Sequence, residues 1–309
     1  MKRLFEIHNL RCSYDKHYRE GVSKVVLDIK DLVLPRGKKI FIVGESGIGK
    51  STILEVLGLM NNTIVPDAHS KFIFYNDDNS TVDLLALWAQ NSDDELSKFR
   101  LNHFNFIFQS TNLMRNFTAI ENIALTRMLQ GYSRQESFEK AKATLAELGL
   151  GNIAEDRMVH ELSGGQQQRL AFARAILPDF TVLFGDEPTG NLDSDNAAKA
   201  MELLSNKLSS MSSSSAIIVS HDMHLSATFA DVIIKIRKES RRTEAGDEVA
   251  YYGVIDQQCL YTPSADKSVW SNGIESYDVV DFEQYLKKAE IYEDILAMPQ
   301  GFDTYVGER

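Results

Sequence analysis

The eight residues GESGIGKS, Gly44–Ser51, constrain the fold of this chain more than any other segment. They lie between the apolar run KKIFIV and the segment STILEVLGLM, whose apolar residues have helical spacing. The segment matches the pattern G-x-x-x-x-G-K-[ST], in which glycines let backbone N–H groups surround an anion at a helix N-terminus. The sequence therefore predicts a phosphate-binding loop between a buried strand and a helix.

Each residue type in this loop has a predicted task. Lys50 reaches the β- and γ-phosphates of a nucleotide, and the hydroxyl of Ser51 is a predicted ligand of Mg²⁺. The alternative interpretation is a glycine-rich turn with an exposed lysine. The predicted nucleotide-binding residues of the loop and the following helix are Gly44, Glu45, Ser46, Gly47, Ile48, Gly49, Lys50, Ser51 and Thr52.

Strand-like and helical patterns alternate along the chain, which is typical of the α/β class. Short apolar runs from Phe5 to about Ile42 predict strands, and residues 71–87 predict a hairpin around NDDN. Residues 115–160 predict a helical insertion, and a helix from about Asp195 to Ser209 joins the strand-like segments FTVLFGDE and SSAIIVSHD. The serine run SSMSSSS between that helix and the next strand predicts a flexible loop.

Two carboxylates end the apolar run TVLFGDEP, which predicts a central parallel strand. Ligands bind at the carboxyl ends of strands in such sheets, so Asp186 and Glu187 are predicted site residues. Adjacent side chains on a strand point in different directions, which gives the two acids separate tasks. Asp186 is predicted to hold Mg²⁺, directly or through a water molecule, and Glu187 is the predicted base that polarises the attacking water. Strand-end solvation is the alternative explanation of the pair.

Charge and composition exclude several classes of protein. A net charge of −11 argues against a protein that coats nucleic acid, because that function needs a basic face. The apolar runs are far shorter than the roughly 20 residues that cross a bilayer, and the N-terminal segment lacks the apolar core of a signal peptide. Cys12 and Cys259 form no disulfide framework, so a chain with two free thiols in the cytoplasm is expected.

The phrase LSGGQQQR, Leu162–Arg169, resembles the signature of the ATP-binding cassette (ABC) ATPases. Ser163 is a predicted N-cap, and the free N–H groups of the first helical turn form a second phosphate cradle. The resemblance implies a P-loop NTPase core of the RecA type, an antiparallel β subdomain and an inserted helical subdomain at about 110–170. By the same resemblance, the signature residues that bind nucleotide are Ser163, Gly164, Gly165 and Gln166.

Further segments match motifs of this family in the family's order. Gln109 in FIFQST resembles the glutamine of the Q-loop, Asn191–Asp193 the D-loop, and His221 in IIVSHD the switch histidine. Tyr14 is placed like the aromatic residue that stacks on adenine, and a core or surface tyrosine is the alternative. The resemblance implies catalytic roles for Lys50, Gln109, Glu187 and His221, and places Ser51, Gln109 and Asp186 at the metal.

Partners also follow from the resemblance. In the family, the signature of one cassette closes on the nucleotide held by another, which implies a homodimer with ATP and Mg²⁺. The phrases GDEPTGNLD and NLMRNFTAIENIAL resemble the subgroup of lipoprotein-release, macrolide-export and FtsE-type systems. That subgroup works with an integral membrane permease, which implies a peripheral position on the inner face of the cell membrane. Candidate docking residues are Leu113, Met114 and Phe117, with packing in the helical core as the alternative.

Three departures from the subgroup stand out. Gly185 replaces a more usual alanine, residues 61–100 are longer and more acidic than expected, and KESRRTEAGDEVAYYG extends the final hairpin. The competing function is a soluble ABC ATPase of translation or DNA repair, which usually has two cassettes, a coiled coil or a zinc insertion. A cassette that does not hydrolyse ATP is disfavoured by the joint presence of Lys50, Asp186, Glu187 and His221.

The closing phrase GFDTYVGER resembles the segment before the signature in ABC exporters. The sequence therefore predicts a cassette over residues 1–260 and an extension over residues 261–309. We expect the extension to be the front part of a second cassette in a truncated or split chain. The alternatives are a retained docking or regulatory helix and a coincidental amphipathic helix with a turn.

Overall fold

The structure is a computed structural model of the chain and describes residues 2–15, 24–153, 156–211, 213–242 and 249–262. The chain divides into two compact units, Met1–Thr262 and Pro263–Arg309. The second unit lies outside the described residues. The closing phrase GFDTYVGER belongs to it, so the three interpretations of that phrase stay predictions. The assignment of residues 1–260 to a cassette and of 261–309 to an extension stays a prediction.

Strands and helices alternate through the described residues, which confirms the α/β class. The strands are β1 Arg3–Cys12, β2 Leu27–Pro35, β3 Lys39–Val43, β4 Lys71–Tyr75, β5 Thr81–Asp83, β6 Phe104–Ile107, β7 Val182–Asp186, β8 Ser215–Val219, β9 Val232–Lys235, β10 Arg237–Arg242, β11 Val249–Ile255 and β12 Leu260–Tyr261. The α-helices are α1 Lys50–Leu57, α2 Leu84–Ala89, α3 Asp93–His103, α4 Ala119–Leu129, α5 Arg134–Glu147, α6 Gly164–Ile176, α7 Ser194–Ser210 and α8 Met223–Phe229.

One sheet is mainly parallel and has the order β12-β9-β3-β8-β7-β6. Every strand pair in it is parallel except β12 with β9. The runs KIFIV in β3 and SAIIV in β8 are almost entirely buried, as expected of parallel strands covered on both faces. The carboxyl ends of β3, β6, β7 and β8 therefore share one edge, and the predicted site residues follow these ends.

The other sheet is mainly antiparallel, with the order β10-β11-β2-β1-β4-β5. Only the pairing of β11 with β2 is parallel among its pairs in the described residues. Phenylalanines from both sheets form one buried cluster: the ring centroid of Phe104 lies 5.7 Å from that of Phe74 and 5.1 Å from that of Phe184. The two sheets thus share a core, which holds the antiparallel subdomain against the mainly parallel sheet.

A helical part contains α4, α5 and α6, which pack on one another. Each of the three begins at a side chain that caps the first turn. Thr118 and Glu121 form a reciprocal capping box at α4, Ser133 accepts from the N–H of Glu136 at α5, and Ser163 caps α6. These caps explain why the predicted helical insertion folds as separate helices rather than as one long helix.

The structure corrects the predicted elements in detail. The hairpin around NDDN is present as β4 and β5, but it ends at Asp83, whose side chain accepts hydrogen bonds from the first turn of α2. The predicted helix from Asp195 to Ser209 is confirmed as α7. The end of the serine run is held in place, because Ser214 is buried and its hydroxyl donates to the carbonyl of Phe180 at 2.6 Å.

Both cysteines are free, as predicted, and both are buried. Burial raises the pKa of the Cys12 thiol to about 12, and it also raises the pKa of Cys259. Neither sulfur is therefore a reactive thiolate at neutral pH.

Candidate nucleotide site

The loop between β3 and α1 has the backbone shape of an anion cradle. Gly47 and Gly49 have φ angles of 74° and 102°, a region that residues with a side chain rarely adopt. Gly49 is also the N-cap of α1, so the loop ends where the positive end of the helix dipole begins. The ammonium of Lys50 donates to the carbonyls of Gly44 and Glu45 at 2.7 and 2.8 Å, which holds it on the loop.

The remaining residues of the phosphate loop differ in their burial and in their contacts. Ile48 is buried in the hydrophobic core, so only its backbone faces the cradle. Ser46 is exposed, and the carboxylate of Glu45 is bound by the ammonium of Lys238 on β10 at 2.6 Å. Thr52 is buried on α1, one residue beyond the loop.

Ser51 on α1 meets Asp186 at the end of β7. The Ser51 hydroxyl donates to Oδ2 of Asp186 at 3.0 Å, although the two residues are far apart in the sequence. Two oxygen ligands that occupy neighbouring positions on Mg²⁺ lie about 3 Å apart, because each Mg–O bond is about 2.1 Å long. The pair thus fits a Mg²⁺ ion that takes its other ligands from phosphate and water, as Mg²⁺ usually does. Among the described residues, no group of three histidines, cysteines or carboxylates forms a metal site.

Glu187 directly follows β7 and meets His221, which follows β8. The Nε2 atom of His221 lies 2.8 Å from Oε1 of Glu187. The backbone of Glu187 has a φ of 48°, and its N–H donates to the carbonyl of Val219 at 3.0 Å. A positive φ is unfavourable for a residue with a side chain and is found where neighbouring structure imposes it. Here the ladder to β8 sets the backbone and aims the carboxylate at His221.

Gln109 lies on the same edge of the sheet. It follows β6, whose last residue, Ile107, pairs with Gly185 next to Asp186. Gln109 is exposed, so its amide is accessible at the edge where Asp186 and Glu187 end. The predicted residues Lys50, Ser51, Gln109, Asp186, Glu187 and His221 are therefore all carried by the phosphate loop or by strand ends beside it.

Tyr14 follows β1 and leans on α1. Its hydroxyl forms a hydrogen bond with Oγ1 of Thr52 at 3.0 Å and donates to Oε2 of Glu55 at 3.3 Å. Partial burial raises the pKa of this hydroxyl above its usual value. The residue nevertheless remains 53% exposed. The ring is thus held through its hydroxyl beside the helix that begins at the phosphate loop, and much of its surface is accessible.

The signature residues form a second helix N-terminus. Ser163 accepts from the N–H of Gln166, whose side-chain carbonyl accepts in turn from the N–H of Ser163. Where a side chain would project from Gly164 or Gly165, there is open space. The N–H groups of a first helical turn have no intrahelical acceptor, so these two glycines can present theirs to an anion.

The two cradles are carried by different elements. Helix α6 packs against α4, α5, α7 and β6, whereas α1 packs against β7 and β8. One direct link connects the signature helix to the acidic strand end: the buried amide of Gln168 donates to the carbonyl of Pro188 at 3.1 Å. The D-loop residue Asp193 caps α7, and the backbone N–H of Asn196 lowers the pKa of its carboxylate.

Sequence reasoning missed several contacts around the site. Nothing in the sequence indicated that the side chain of Gln168 is buried beside Pro188, because a glutamine in a helix is most often exposed. Lys238 and Gly253 belong to the extended final hairpin, where only the unusual length of the segment could have pointed to them. Gly185 stands where the subgroup more usually has an alanine. A Cβ added there would lie 3.2 Å from Cγ of Pro188 and 3.5 Å from Cγ1 of Ile218, so an alanine would need only a small shift of its neighbours.

Comparison with known proteins identifies the family of this chain. Residues 27–190 match the family described as ABC transporter, and this range includes the phosphate loop, the signature and the acidic pair. The chain belongs to the ABC transporter family. A lipoprotein-releasing system ATP-binding protein, LolD from Rickettsia bellii, is 36% identical over 211 residues, which are 68% of this chain and 86% of that protein.

A second relative is longer than this ABC chain. The macrolide export ATP-binding/permease protein MacB from Vibrio parahaemolyticus is 36% identical over 246 residues, which are 79% of this chain. The chain spans about a third of the length of such MacB relatives, since the match covers 34% of that protein. These relatives place the ABC chain with the MacB and LolD type of ATP-binding subunit, as predicted, and do not favour a soluble ABC ATPase of translation or DNA repair.

A solved ABC structure has the same fold. The ATP-binding cassette MJ0796, in a dimeric post-hydrolysis state bound to ADP and Pi, gives a TM-score of 0.61 at 28% identity, over 75% of this chain and 94% of that one. This confirms the predicted P-loop NTPase core of an ABC cassette, a family of ATP-hydrolysing nucleotide-binding domains. In the described part of the ABC chain, no helix has the length and apolarity of a membrane span.

Proposed function

We propose that this chain binds ATP with Mg²⁺ and hydrolyses it as the motor subunit of a membrane transporter. The observation that carries the proposal is the pair of contacts beside the phosphate loop: Ser51 with Asp186 at 3.0 Å and Glu187 with His221 at 2.8 Å. A cation-ligand pair and a carboxylate held by an imidazole, both next to an anion cradle, are the groups that phosphoryl transfer to water needs.

Each group has a separate task in the proposed reaction. The loop N–H groups and the ammonium of Lys50 hold the β- and γ-phosphates, and Ser51 and Asp186 hold Mg²⁺, with Gln109 beside them. When bound, Mg²⁺ neutralises charge on the phosphate oxygens. Glu187 accepts a hydrogen bond from water and orients it toward the γ-phosphorus, while His221 fixes the carboxylate.

The complete site is proposed to form between two copies of the chain. Ser163, Gly164, Gly165 and Gln166 would contact the nucleotide held by the phosphate loop of the partner. The exposure of Ser163 and Gly164 at the start of α6 supports this, because a phosphate from another subunit can reach them. The dimeric state of MJ0796 bound to ADP and Pi is consistent with such an arrangement.

A membrane permease is the proposed partner, with the chain on the cytoplasmic face of the membrane. The proposal draws on the names of MacB and LolD, and on two exposed apolar residues after Gln109. Met114 and Phe117 are 45% and 36% exposed, which argues against their alternative role as core residues. Leu113 is half-buried and lines an adjacent cavity of about 550 Å³ with Asn112 and Arg115.

ATP binding by the purified chain tests the nucleotide site. Isothermal titration calorimetry is expected to show ATP binding by the wild type and a Kd at least tenfold higher for Lys50→Ala, because a charge-assisted contact is lost. Lys98→Ala on α3 is the matched control, since Lys98 is exposed and pairs only locally with Glu95 at 2.9 Å. An unchanged affinity in Lys50→Ala would contradict the proposed phosphate contact.

Membrane recovery tests the partner. When the chain is coexpressed with a candidate membrane permease that recovers the wild type with membranes, Phe117→Asp is expected to lower the amount of ATPase recovered. Leu129→Asp is the control, because Leu129 is an exposed apolar residue at the end of α4, where it is 60% exposed. Equal recovery of the wild type and Phe117→Asp would refute docking at this position.

A further inference from the structure

The final hairpin, β10 with β11, touches the phosphate loop directly. A Cβ added to Gly253 on β11 would lie 2.3 Å from the carbonyl oxygen of Ile48, so the strand backbone is packed against the loop. The N–H of Gly253 also donates to the carbonyl of Val26 at 2.9 Å, which continues the sheet toward β2. The loop therefore rests against this hairpin on one side.

A side-chain contact joins the hairpin to the same loop. Lys238 pairs with Gly253 in the register of β10 and β11, and its ammonium binds the carboxylate of Glu45 at 2.6 Å. The same ammonium lies 4.9 Å from the centre of the Tyr251 ring. Lys238 thus holds the hairpin to the second residue of the phosphate loop and borders the ring of Tyr251.

The strand register brings the segments that contain Tyr251 and Tyr14 to the same end of the sheet. Gly253 pairs with Leu27, and Leu27 pairs with Cys12, so these three residues form one row across the sheet. Tyr251 precedes Gly253 by two residues on β11 and therefore points to the same face, because side chains of a strand alternate with a period of two. Tyr14 follows Cys12 by two residues, at a bend beyond the end of β1. Strand β2 lies between β11 and β1, whose backbones are therefore about 10 Å apart in the row of Gly253 and Cys12.

Both rings are exposed on the side of the sheet that faces the loop. Tyr251 is 55% and Tyr14 is 53% exposed. The hydroxyl of Tyr14 reaches Thr52 and Glu55 on α1, and the missing side chain of Gly253 would point at Ile48 immediately before α1. A flat ring stacked between two aromatic rings needs about 7–8 Å between the outer planes, since each stacked contact is about 3.5–4 Å. Two side chains on backbones 10 Å apart can close to this distance.

We propose that Tyr251 forms a second wall of the nucleotide pocket and contacts the base or ribose of ATP from the side opposite Tyr14. The proposal rests on the proposed function, because it needs a nucleotide whose phosphates are in the loop. Stacking on an aromatic ring is tolerant of the base, since every base has a π face.

Calorimetry with two ligands tests whether Tyr251 contacts the base or ribose of ATP. The purified full chain is titrated with ATP and, separately, with inorganic tripolyphosphate, which has the phosphates but no base or sugar. For Tyr251→Ala we expect the Kd of ATP to rise about five- to tenfold, at the low end for loss of one stacking contact. The Kd of tripolyphosphate is expected to stay unchanged, and Tyr251→Phe is expected to retain ATP affinity because the ring remains.

Tyr252→Ala is the matched control, because the neighbouring residue points to the opposite face of β11 and its hydroxyl meets Glu239 there at 3.4 Å. The control is expected to bind ATP like the wild type. An unchanged ATP affinity in Tyr251→Ala, or an equal loss in Tyr252→Ala or for tripolyphosphate, would overturn the wall and leave the proposed function standing. A wild-type chain that binds neither ligand would overturn the proposed function itself.

Discussion

Nε2 of His221 lies 2.8 Å from Oε1 of Glu187, across the carboxyl ends of two neighbouring parallel strands. An ionised carboxylate only accepts hydrogen bonds, so the contact fits an Nε2–H that donates to Glu187. This leaves the second oxygen of Glu187 for a water molecule. The pair is therefore arranged so that the imidazole orients the carboxylate, and the carboxylate orients the water.

The first prediction concerns this imidazole. His221→Ala is expected to lower kcat for ATP hydrolysis about 100-fold or more, in the range for loss of a positioned acid–base group, while ATP affinity is retained. The measurement is steady-state release of phosphate together with calorimetry. His224→Ala is the control, because His224 is an exposed residue of α8 three positions away. If His221→Ala hydrolysed ATP at the rate of the control, the proposed role of His221 in the reaction would be contradicted.

The second prediction concerns the contact between the final hairpin and the phosphate loop. Gly253→Ala is expected to raise the Kd of ATP and to lower the free energy of unfolding by about 1–3 kcal/mol, the usual cost of overpacking. The reason is the 2.3 Å approach of the new Cβ to the Ile48 carbonyl, which can be relieved only by moving backbone. The measurements are calorimetry and urea unfolding.

Gly131→Ala is the companion variant for this test. Gly131 has a φ of 95° and open space around it, so an added methyl group strains the local backbone without contacting the loop. It is expected to lose some stability and keep the affinity for ATP. Equal ATP affinity in Gly253→Ala and the wild type would show that the hairpin does not support the loop.

The third prediction concerns the acid dependence of stability. Glu6 on β1 is buried, and hydrogen bonds from Lys71 and Tyr75 lower the pKa of its carboxyl from the ordinary 4.5 to about 2. A depressed pKa contributes stability above the unfolded-state value and loses it as pH falls toward the folded-state value. We therefore expect this contribution to be present at pH 6 and to decline between about pH 4.5 and pH 2.

Glu6→Gln isolates this contribution. Urea unfolding at pH 6 is expected to show a lower free energy of unfolding for the variant than for the wild type, and the difference should shrink at pH 3. A difference that stays constant or grows as the pH falls would contradict the assignment, because it would mean that the carboxylate is not the stabilising form.

The sequence was sufficient to predict the main fold and the candidate site where short motifs impose local geometry. GESGIGK places glycines where φ is positive, and TVLFGDE is apolar enough to be a buried parallel strand, so Lys50, Asp186 and Glu187 lie where expected. Parallel pairing then brings strand ends together regardless of their separation in sequence. This is why Ser51 and Asp186, which no local pattern connects, form a hydrogen bond.

Other features depend on tertiary contacts that no local pattern contains. The end of the hairpin at Asp83 was missed because apolar residues 84–87 suit a strand as well as a short helix, and the capping carboxylate decides between them. The role of Gly253 was missed because a glycine near a strand end is compatible with an ordinary turn. Only the register of β11 with β2 shows that it faces the phosphate loop.

The most direct test of the proposed mechanism is the variant Glu187→Gln. It keeps the size and hydrogen-bonding shape of the side chain but removes the negative charge that orients water. We expect ATP affinity within a few-fold of the wild type, phosphate release lowered at least 100-fold, in the range for loss of a general base, and an ATP-bound dimer that accumulates in size-exclusion chromatography with light scattering. Sustained ATP hydrolysis by Glu187→Gln at the wild-type rate would contradict the account.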